Sequence, residues 1–378
     1  MEYFILLNIL FIIFSAFYLC IQIGLILGIK RLKCRKSSSL PFVSVIVAAR
    51  NEEKTISDLL QCLISQTYEN LEIIIVNDRS TDNTRNIIEK FARKNKKIKC
   101  INIHTLSGDM PAKKNALRTG IKASKGEILC FTDADCFPPP RWIEKIVSSF
   151  SPEVGLVAGY SPYQTPKHKS MSYWKSILYS FIEYEEKRAA VWSAGSIGWN
   201  LGWLCTGRNL AYRRKVYDEV GGFEKIKMSV SGDDDLFLQL VRKKTNWKIN
   251  YICSKDSFVA TNVPESWKHF VQQRKRHFSA SKFFSLPMKL FFSMYHFSNL
   301  MLLLSPLFLI FHLIEPVCMI LAISAKFSGD FILFYNGVRI FNGEKFRLNF
   351  FFMEVLYILY NIFLGTLGLI GKYEWKKT

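Results

Sequence analysis

The sequence predicts an α/β domain, with a mostly parallel sheet and flanking helices, joined to transmembrane helices. Two observations predict this architecture: strand-length apolar runs alternate with helical patterns between residues 43 and 131, and three long apolar blocks lie outside that stretch. The 378-residue chain carries 51 Lys and Arg against 31 Asp and Glu, a net charge of +20, and 49% of its residues are hydrophobic. That apolar content excludes a disordered chain.

The first apolar block, residues 3–29, contains no charged residue. As a helix it would be about 40 Å long, which exceeds the ~30 Å of a bilayer core. The basic residues between positions 30 and 36 follow the block, whereas a cleavable signal peptide carries them before a shorter apolar core. The pattern is therefore typical of a signal anchor, and the positive-inside rule places the N-terminus outside and residue 30 onward in the cytosol.

The α/β pattern follows. Residues 43–49, 71–76, 98–103 and 128–131 are apolar runs typical of strands buried on both faces. Between them, residues 54–66, 81–95 and 112–123 are predicted helices. The alternation predicts a doubly wound parallel sheet, which binds ligands at the carboxyl ends of its strands. No Gly-x-Gly-x-x-Gly pattern follows the first run, so a dinucleotide site of the usual kind is not expected.

Acidic residues follow three of these strands. They are Glu52 and Glu53, Asp78 and Asp82, and Asp133 and Asp135. The last two lie two residues apart, so an extended segment points both carboxylates the same way. Two carboxylates with room for water suit Mg²⁺ or Mn²⁺ bound together with a diphosphate. A lone Asp-x-Asp pair is also typical of a turn or a helix cap, so the prediction rests on all the clusters together.

The remaining apolar blocks lie near the C-terminus. Residues 290–325 are too many for one upright helix of about 20 residues, so they predict either an interfacial helix leading into one span or two spans that turn near Glu315 and Pro316. Residues 349–370 have basic residues on both sides, so the charge rule does not settle their direction. Three or four spans are expected in all. The predicted domains are an anchor at 1–36, a cytosolic domain at 37–286, and two or three C-terminal spans, transmembrane or interfacial, at 287–378.

Two further features bear on the cytosolic block. The nine cysteines form no Cys-x-x-Cys pair, which suits a reduced compartment and predicts neither a disulfide nor a structural zinc site. Residues 171–205 are rich in tryptophan and tyrosine. This segment is expected either to form an acceptor platform or to pack on the membrane surface, where such residues concentrate.

The order of the motifs carries a family resemblance. Residues 113–135 include Lys-Lys-Asn-Ala-Leu and Thr-Asp-Ala-Asp, and residues 207–223 begin Gly-Arg-Asn-Leu-Ala-Tyr. Together with the later Gln-Gln-Arg-Lys-Arg-His run, they resemble the family 2 glycosyltransferases of the GT-A fold. Membrane members of that family include hyaluronan, cellulose and poly-N-acetylglucosamine synthases, with ceramide glucosyltransferases related. The resemblance covers about residues 40–285, and the flanking spans also fit it.

The resemblance implies a role for individual residues. Nucleotide-sugar binding is implied for Ala48, Glu52, Asp78, Lys114 and Asp133. Metal binding is implied for Asp133 and Asp135, the second being the direct ligand. Catalytic roles are implied for Asp233 as the base, with Gln273 and Arg276. Acceptor binding is implied for Arg208, Asp234 and His277.

Three positions depart from the family pattern. Asn77 stands where many members have an aspartate, which weakens the expected contacts to the nucleotide base. Gly232 replaces an acid, so Asp234 is an alternative to Asp233 as the catalytic base. His277 replaces a tryptophan that stacks on the acceptor sugar in processive synthases, and its smaller ring offers less stacking area. This last change puts long-chain processivity in doubt.

The resemblance implies a membrane-bound, inverting glycosyltransferase. It would move a sugar from a nucleotide-diphosphate sugar, expected to be a UDP-sugar, to a lipid-linked or saccharide acceptor on the cytosolic face of the plasma membrane. Mg²⁺ or Mn²⁺ is the implied cofactor. A processive polysaccharide synthase that couples polymerisation to export is the alternative. A catalytically inactive scaffold is disfavoured because the acidic residues to which these roles are assigned, Asp78, Asp133, Asp135 and Asp233 among them, are all present.

The positive charge is concentrated in three stretches, residues 30–36, 93–125 and 267–289, which together account for the whole net charge. The first and third flank apolar blocks and are expected to face anionic membrane lipid. The second leads into the predicted diphosphate site. Nucleic acid is therefore not an expected partner, and the residues point to no particular protein partner.

Overall fold

The computed structural model describes residues 2–32, 39–105, 108–165, 172–341 and 350–370. The strands are β1 Val43–Ala49, β2 Leu71–Asp78, β3 Ile98–Ile103, β4 Ile128–Phe131, β5 Cys136–Phe137, β6 Val154–Gly159, β7 Tyr163–Gln164, β8 Leu210–Arg213, β9 Lys248–Ile252 and β10 Ala260–Asn262. The helices that accompany them are α2 Ile56–Ile64, α3 Thr84–Lys94, α4 Ala112–Ala123, α5 Trp142–Ser148, α6 Tyr173–Gly198, α7 Arg214–Val220, α8 Asp235–Lys244 and α9 Trp267–Phe278. We call the described residues between 39 and 285 the sheet domain.

A seven-stranded sheet forms the centre of the sheet domain, in the order β3-β2-β1-β4-β8-β6-β9. Strand β8 runs antiparallel to both of its neighbours, and the other pairs are parallel. Every residue of β1 is buried, with Ile46 facing one apolar cluster and Val45 and Val47 facing the other. Burial on both faces explains the continuous apolar run and confirms the predicted α/β fold.

Strands β5, β10 and β7 form a smaller, three-stranded sheet beside the larger one. Strand β10 pairs antiparallel with β5, where Thr261 lies opposite Cys136, and parallel with β7, where it lies opposite Tyr163. The small sheet therefore ties the segment directly after Asp135 to the segment that leads into α9.

Four described helices are long and apolar enough to cross a membrane: α1 Glu2–Arg31, α10 Leu286–Ile310, α11 Pro316–Ile340 and α12 Phe350–Gly368. The second apolar block of the sequence is thus two helices that turn at residues 311–315. Pro316 begins α11, where proline's fixed φ suits the first turn. Helix α11 continues to Ile340, well beyond the predicted end of the block at residue 325.

The long apolar helices α1, α10 and α11 share one core with the sheet domain. Side chains from α1 and α10, among them Leu25 and Tyr295, belong to the same buried apolar cluster as Ile46 of the central sheet. Helices α1 and α6 also approach closely at three glycines, Gly28 on α1 and Gly195 and Gly198 on α6. A Cβ atom added to Gly28 would overlap the carbonyl oxygen of Gly195, so only hydrogen fits there.

A cluster of four charged residues is buried where α6, α11 and α12 meet. Arg188 pairs with Glu354 and, at 3.1 Å, with Asp330. Lys326 pairs with Asp330 and, at 2.9 Å, with Glu354. Each side chain is at most 4% exposed, and Tyr18 of α1 donates a hydrogen bond of 2.8 Å to Asp330. Two cations balance two anions, which is the condition for burying charge in an apolar setting.

Candidate active site

The cleft at the carboxyl ends of β1, β2 and β4 brings together residues that are far apart in sequence. Asp133 follows β4, Lys113 lies in the first turn of α4, and Asp233 precedes α8. The ammonium of Lys113 lies 3.0 Å from Asp133 and 3.1 Å from Asp233. Gly207 lines the same pocket. The two predicted carboxylates therefore face one cation across the cleft.

This cation and its neighbours change each other's ionisation. Burial opposes the charge of Lys113, but Asp133 and Asp233 more than offset it and raise the pKa of Lys113. Burial likewise opposes ionisation of Asp233, yet the adjacent Lys113 holds the pKa of Asp233 below its ordinary value. For Asp234, burial and the neighbouring Asp233 raise the pKa. Lys113 therefore favours the ionised form of Asp233, which is the form that a proton acceptor needs.

Lys114 does not lie in the cleft, which corrects its assignment to nucleotide-sugar binding. Its side chain is fully buried and donates hydrogen bonds to the carbonyl oxygens of Ile226, Ser229 and Ser231. Successive helix residues point about 100° apart, so the two adjacent lysines at the start of α4 point in different directions and one of them faces the cleft. That residue is Lys113, which was not among the residues predicted from the sequence. Through these hydrogen bonds Lys114 stabilises the loop that leads to Asp233.

Asp234 and Asp235 also accept hydrogen bonds from backbone amides. Asp234 accepts hydrogen bonds from the amides of Gly207, at 2.9 Å, and Asp235, at 2.8 Å. Asp235 accepts one from the amide of Cys205, at 2.6 Å. Each oxygen of Asp234 thus accepts a hydrogen bond from the backbone, and an acceptor-binding role for this residue stays a prediction. The two aspartates fasten the 205–207 segment beside Asp233.

Asp133 and Asp135 flank the turn after β4. Ala134 between them is buried, Asp133 is 34% exposed at its side chain, and the backbone carbonyl of Asp135 accepts a hydrogen bond from Thr261 of the small sheet. Among the described residues, no three His, Cys, Asp or Glu side chains converge as a metal site. One or two carboxylates are enough for an ion that also binds substrate phosphates, so this turn fits Mg²⁺ or Mn²⁺.

The first two strand ends form a hydrogen-bonded loop pair. Asp78 is 1% exposed and accepts two hydrogen bonds from Arg79, at 2.8 and 2.9 Å. Asn51 adopts a φ of +53° and accepts a hydrogen bond of 2.8 Å from the amide of Thr81. Ala48 lies near the end of β1 and Glu52 follows that strand, so both lie at the same edge as Asp78. The predicted nucleoside residues therefore share one edge of the cleft.

Two acidic residues of this loop pair are structural. Glu53 accepts a hydrogen bond of 3.0 Å from the amide of Asn83, and Asp82 accepts one of 3.1 Å from the amide of Glu53. Asn77, the departure from the family pattern, donates to Asn102 of β3 at 2.9 Å. Its side chain is thus used within the sheet rather than at the cleft.

The acceptor-side residues come from α9 and from the 205–209 segment. Arg276 lies close enough to Lys113 to disfavour that lysine's charge, and its guanidinium is 3.2 Å from the His277 ring. Arg208 pairs with Glu186 of α6 at 2.8 Å. Gln273 has a buried side-chain oxygen without a hydrogen-bond partner. These positions place the basic run of α9 beside the Lys113 cleft.

Behind these residues lies a second buried ionic group that was not predicted from the sequence. Arg274 pairs with Glu185, and it lies 3.7 Å from Glu186, which also binds Arg208. Tyr360 of α12 donates to Glu185 at 3.1 Å. The sequence does contain one signal: Glu185 and Glu186 are acidic residues inside an otherwise aromatic-rich helix, where an unpaired charge would be costly.

The comparisons with known proteins agree with this geometry. Residues 44–221 match the family model described as "Glycosyl transferase family 2". A "Probable glycosyltransferase YdaM" of Bacillus subtilis is 29% identical over 243 residues, 63% of this chain and 54% of that protein. The Escherichia coli "UDP-Glc:alpha-D-GlcNAc-diphosphoundecaprenol beta-1,3-glucosyltransferase WfaP" is 35% identical over 131 residues, 34% of this chain and 48% of that protein. The chain thus spans about half the length of these relatives.

A solved structure resembles almost the whole chain. It is the "Mannosyltransferase PcManGT from Pyrobaculum calidifontis in complex with GDP-Man and Mn2+", which is 17% identical and covers 96% of both chains with a TM-score of 0.54. At this identity the likeness concerns the fold. The fold is GT-A, as the sequence resemblance implied.

Proposed function

Residues 44–221 belong to glycosyl transferase family 2, and from that premise we propose that the chain is a membrane-bound, inverting glycosyltransferase. The observation that carries the proposal is the bridge that Lys113 makes to Asp133 and Asp233. It sets a donor-side carboxylate and a candidate base on opposite sides of one cation. A nucleotide-diphosphate sugar bound there would have its anomeric carbon between the two.

Each residue of the cleft has a part in this proposal. Asp135, assisted by Asp133, would hold Mg²⁺ or Mn²⁺, which supplies positive charge to the departing diphosphate. Lys113 and Arg276 add fixed positive charge beside the same leaving group. The acceptor hydroxyl is a poor nucleophile, so Asp233 takes its proton as attack develops. A single displacement of this kind inverts the anomeric centre.

We infer that the donor is a UDP-sugar. Asp78 lies at the end of β2 where the family resemblance implies a contact to the uracil ring, and it is buried and fixed by Arg79. The similar Escherichia coli protein takes UDP-Glc by its name, which supports the same choice. Binding of UDP-Glc, UDP-GlcNAc and GDP-Man, measured by thermal shift with Mn²⁺, separates the donors. A larger shift with GDP-Man than with either UDP-sugar would contradict this inference.

The acceptor is proposed to be a lipid-linked saccharide or a lipid, extended by one sugar. The ion cluster of Arg188, Lys326, Asp330 and Glu354 fills the space where α11 and α12 meet α6, and its side chains are all nearly buried. A space filled by paired charges is not open to a growing polysaccharide. Sizing the product made from labelled donor tests this. A ladder of long products would favour the processive alternative.

The catalytic assignment is tested by Asp233→Asn. This change keeps the side chain's size and removes the proton acceptor, so turnover should fall at least about a hundredfold, in line with typical losses of a general base. Donor binding should remain within a few-fold of the unchanged protein. Asp218→Asn, an exposed position on α7, is the matched control. Near-normal turnover of Asp233→Asn would remove Asp233 from the mechanism.

The metal assignment is tested by Asp135→Ala. Because this residue is proposed to hold the ion, the change should weaken donor binding in the presence of Mn²⁺ and leave weak, metal-independent binding unaltered. Donor titration with and without Mn²⁺ measures both quantities. An unchanged Mn²⁺ effect would show that Asp135 does not bind the ion.

A further inference from the structure

Helix α12 is apolar and long enough to cross a membrane, but its contacts differ from those of α1, α10 and α11. In the described part of the chain, each of those three helices touches the sheet domain along one half of its length. These contacts include a hydrogen bond of 2.7 Å from Trp199 to the carbonyl of Gly24, and two ring pairs, Trp203 with Phe291 at 4.5 Å and Tyr184 with Phe334 at 5.0 Å. All three helices therefore leave the sheet domain in the same direction.

The far ends of α1, α10 and α11 contact one another instead. The amide of Glu315 donates a hydrogen bond of 2.9 Å to the side chain of Asn8. Phe11 and Phe308 pack edge to face at 6.0 Å, inside a separate apolar cluster built from these three helices. This is the pattern expected of helices that cross a bilayer and meet on the far side.

Helix α12 contacts the sheet domain at both of its ends. At the first end, Phe350 packs on Tyr184 of α6 with ring centroids 6.1 Å apart. At the last end, a Cβ atom added to Gly368 would overlap Phe278 of α9 and lie 3.2 Å from the carbonyl oxygen of Lys275. The 19 residues of α12 span about 28 Å. A helix that crossed the bilayer would carry one end that far from the sheet domain.

The middle of α12 also lies on the sheet domain. Tyr360 stacks on Phe270 at 6.0 Å and packs on Phe278 at 5.6 Å. Glu354 and Tyr360 point inward, to Arg188 and Glu185. The outward face is an exposed apolar row, which consists of Phe351, Phe352, Val355, Phe363 and Leu367. The buried side thus carries Glu354 and Tyr360 among apolar residues such as Met353 and Ile358. The exposed apolar row is the kind of surface that an interfacial helix inserts into the boundary of the acyl chains.

We propose that α12 lies in the plane of the membrane, between the bilayer and the sheet domain, with its outward row in the acyl chains. Three helices then cross the membrane, and the chain after α12 stays on the side of the sheet domain. The occupant of the row is lipid because α12 packs against α10, a helix that itself exposes apolar side chains such as Met294 and Phe297: a Cβ atom added to Gly365 would lie 3.6 Å from the ring of His296 of α10. This proposal does not depend on the proposed transferase activity.

The placement has a consequence for the cleft. Helix α12 packs along α9, whose last turns carry Gln273, Arg276 and His277. An in-plane α12 therefore sets the acceptor side of the cleft at the edge of the bilayer, where a lipid-soluble acceptor can reach it.

Sidedness of the C-terminus tests the proposal. Three full-length proteins are made, each with one protease-cleavable epitope: before Met1, after Thr378, or in the exposed turn at residues 95–97 of the sheet domain. Sealed vesicles of both orientations are treated with protease from outside. We expect the epitopes at 378 and 95–97 to be cleaved in the same vesicles, and the epitope at Met1 in the opposite ones. Cleavage of the 378 epitope together with the Met1 epitope would show that α12 crosses, and would overturn the proposal.

Discussion

Lys113 and Lys114 are adjacent, yet the structure separates their roles completely. Lys113 faces the cleft and pairs with two carboxylates, whereas Lys114 is buried among three carbonyl groups. The sequence contained the information that distinguishes them. Lys114 is three residues before Leu117 and seven before Ile121, so it shares the buried face of α4. The family motif does not specify this helical phase, and the wrong lysine was therefore predicted from the motif.

The pKa of Asp233 gives a test at the scale of single residues. Burial favours its neutral form, and the ammonium of Lys113 reverses that preference. We therefore expect Lys113→Met to raise the pKa of Asp233 and to move the acid limb of the kcat/KM profile to higher pH. Each unit of that movement corresponds to about 1.4 kcal/mol. Turnover should fall more at acidic pH than at alkaline pH.

The sign of the stability effect follows from the same shift. A carboxylate whose pKa is lowered in the folded state stabilises the fold at pH values above its unfolded pKa of about 3.9. This stability is lost as the pH falls through the pKa of the folded state.

The control for the kinetic test is Lys122→Met, on the exposed side of the same helix, which should leave the kcat/KM profile unchanged. An acid limb that stays in place in Lys113→Met would mean that Asp233 is not the titrating base.

At the scale of elements, apolar pattern alone predicted the bounds of β1, β3, α4 and β4, because these segments are buried or amphipathic over their whole length. The apolar pattern predicted the wrong end for a helix that contains buried, paired charges. The second apolar block seemed to end at residue 325, because Lys326 and Asp330 follow. In the structure both are buried within α11, pair with each other and with Arg188 and Glu354, and the helix continues. A hydropathy scale treats each charged residue as unpaired. It therefore cannot predict that a charged residue will be buried in an ion pair with a residue on another helix.

That ion cluster yields a prediction for the contact between α11, α12 and α6. Glu354→Gln removes one of two anions and leaves Arg188 and Lys326 with only Asp330 of the cluster. Breaking a buried ion pair in this way costs about 3–5 kcal/mol, so the detergent-solubilised protein should unfold at a clearly lower temperature. Glu315→Gln, in the exposed turn before α11, is the matched control and should have little effect. Equal unfolding temperatures for the two variants would mean that the cluster does not stabilise the bundle.

The close approach of α1 and α6 yields a second prediction at this scale. In Gly28→Ala the new methyl group would overlap a backbone oxygen of Gly195, so the two helices must separate. Overpacking of this kind costs about 1–3 kcal/mol, and both unfolding temperature and turnover should fall. Gly24→Ala, one turn earlier on α1, meets no atom within 4 Å and serves as the control. A Gly28→Ala protein as stable as Gly24→Ala would contradict the close contact between the two helices.

At the scale of the whole molecule, the sequence placed a domain boundary where the structure shows a continuous core. The prediction of a separate domain at 37–286 rests on the change from apolar blocks to an α/β pattern. The largest apolar cluster extends across the predicted boundary. It contains Ile46 of the sheet, Trp192 of α6, Leu25 of α1 and Tyr295 of α10. The sequence does not show which distant segments pack together, because packing of this kind requires only that each segment is apolar.

The shared core predicts that the sheet domain is not stable alone. Removing α1 and the helices after residue 285 would expose the face of α6 that carries Val191, Trp192 and Ile197, all now buried. Large exposed apolar patches cause association. A protein of residues 39–285 should therefore precipitate or unfold without cooperativity in buffer. The full chain in detergent should unfold in one transition and bind donor with Mn²⁺. A soluble 39–285 fragment with a cooperative transition would show instead that the sheet domain has a self-sufficient core, with the membrane helices acting only as an anchor.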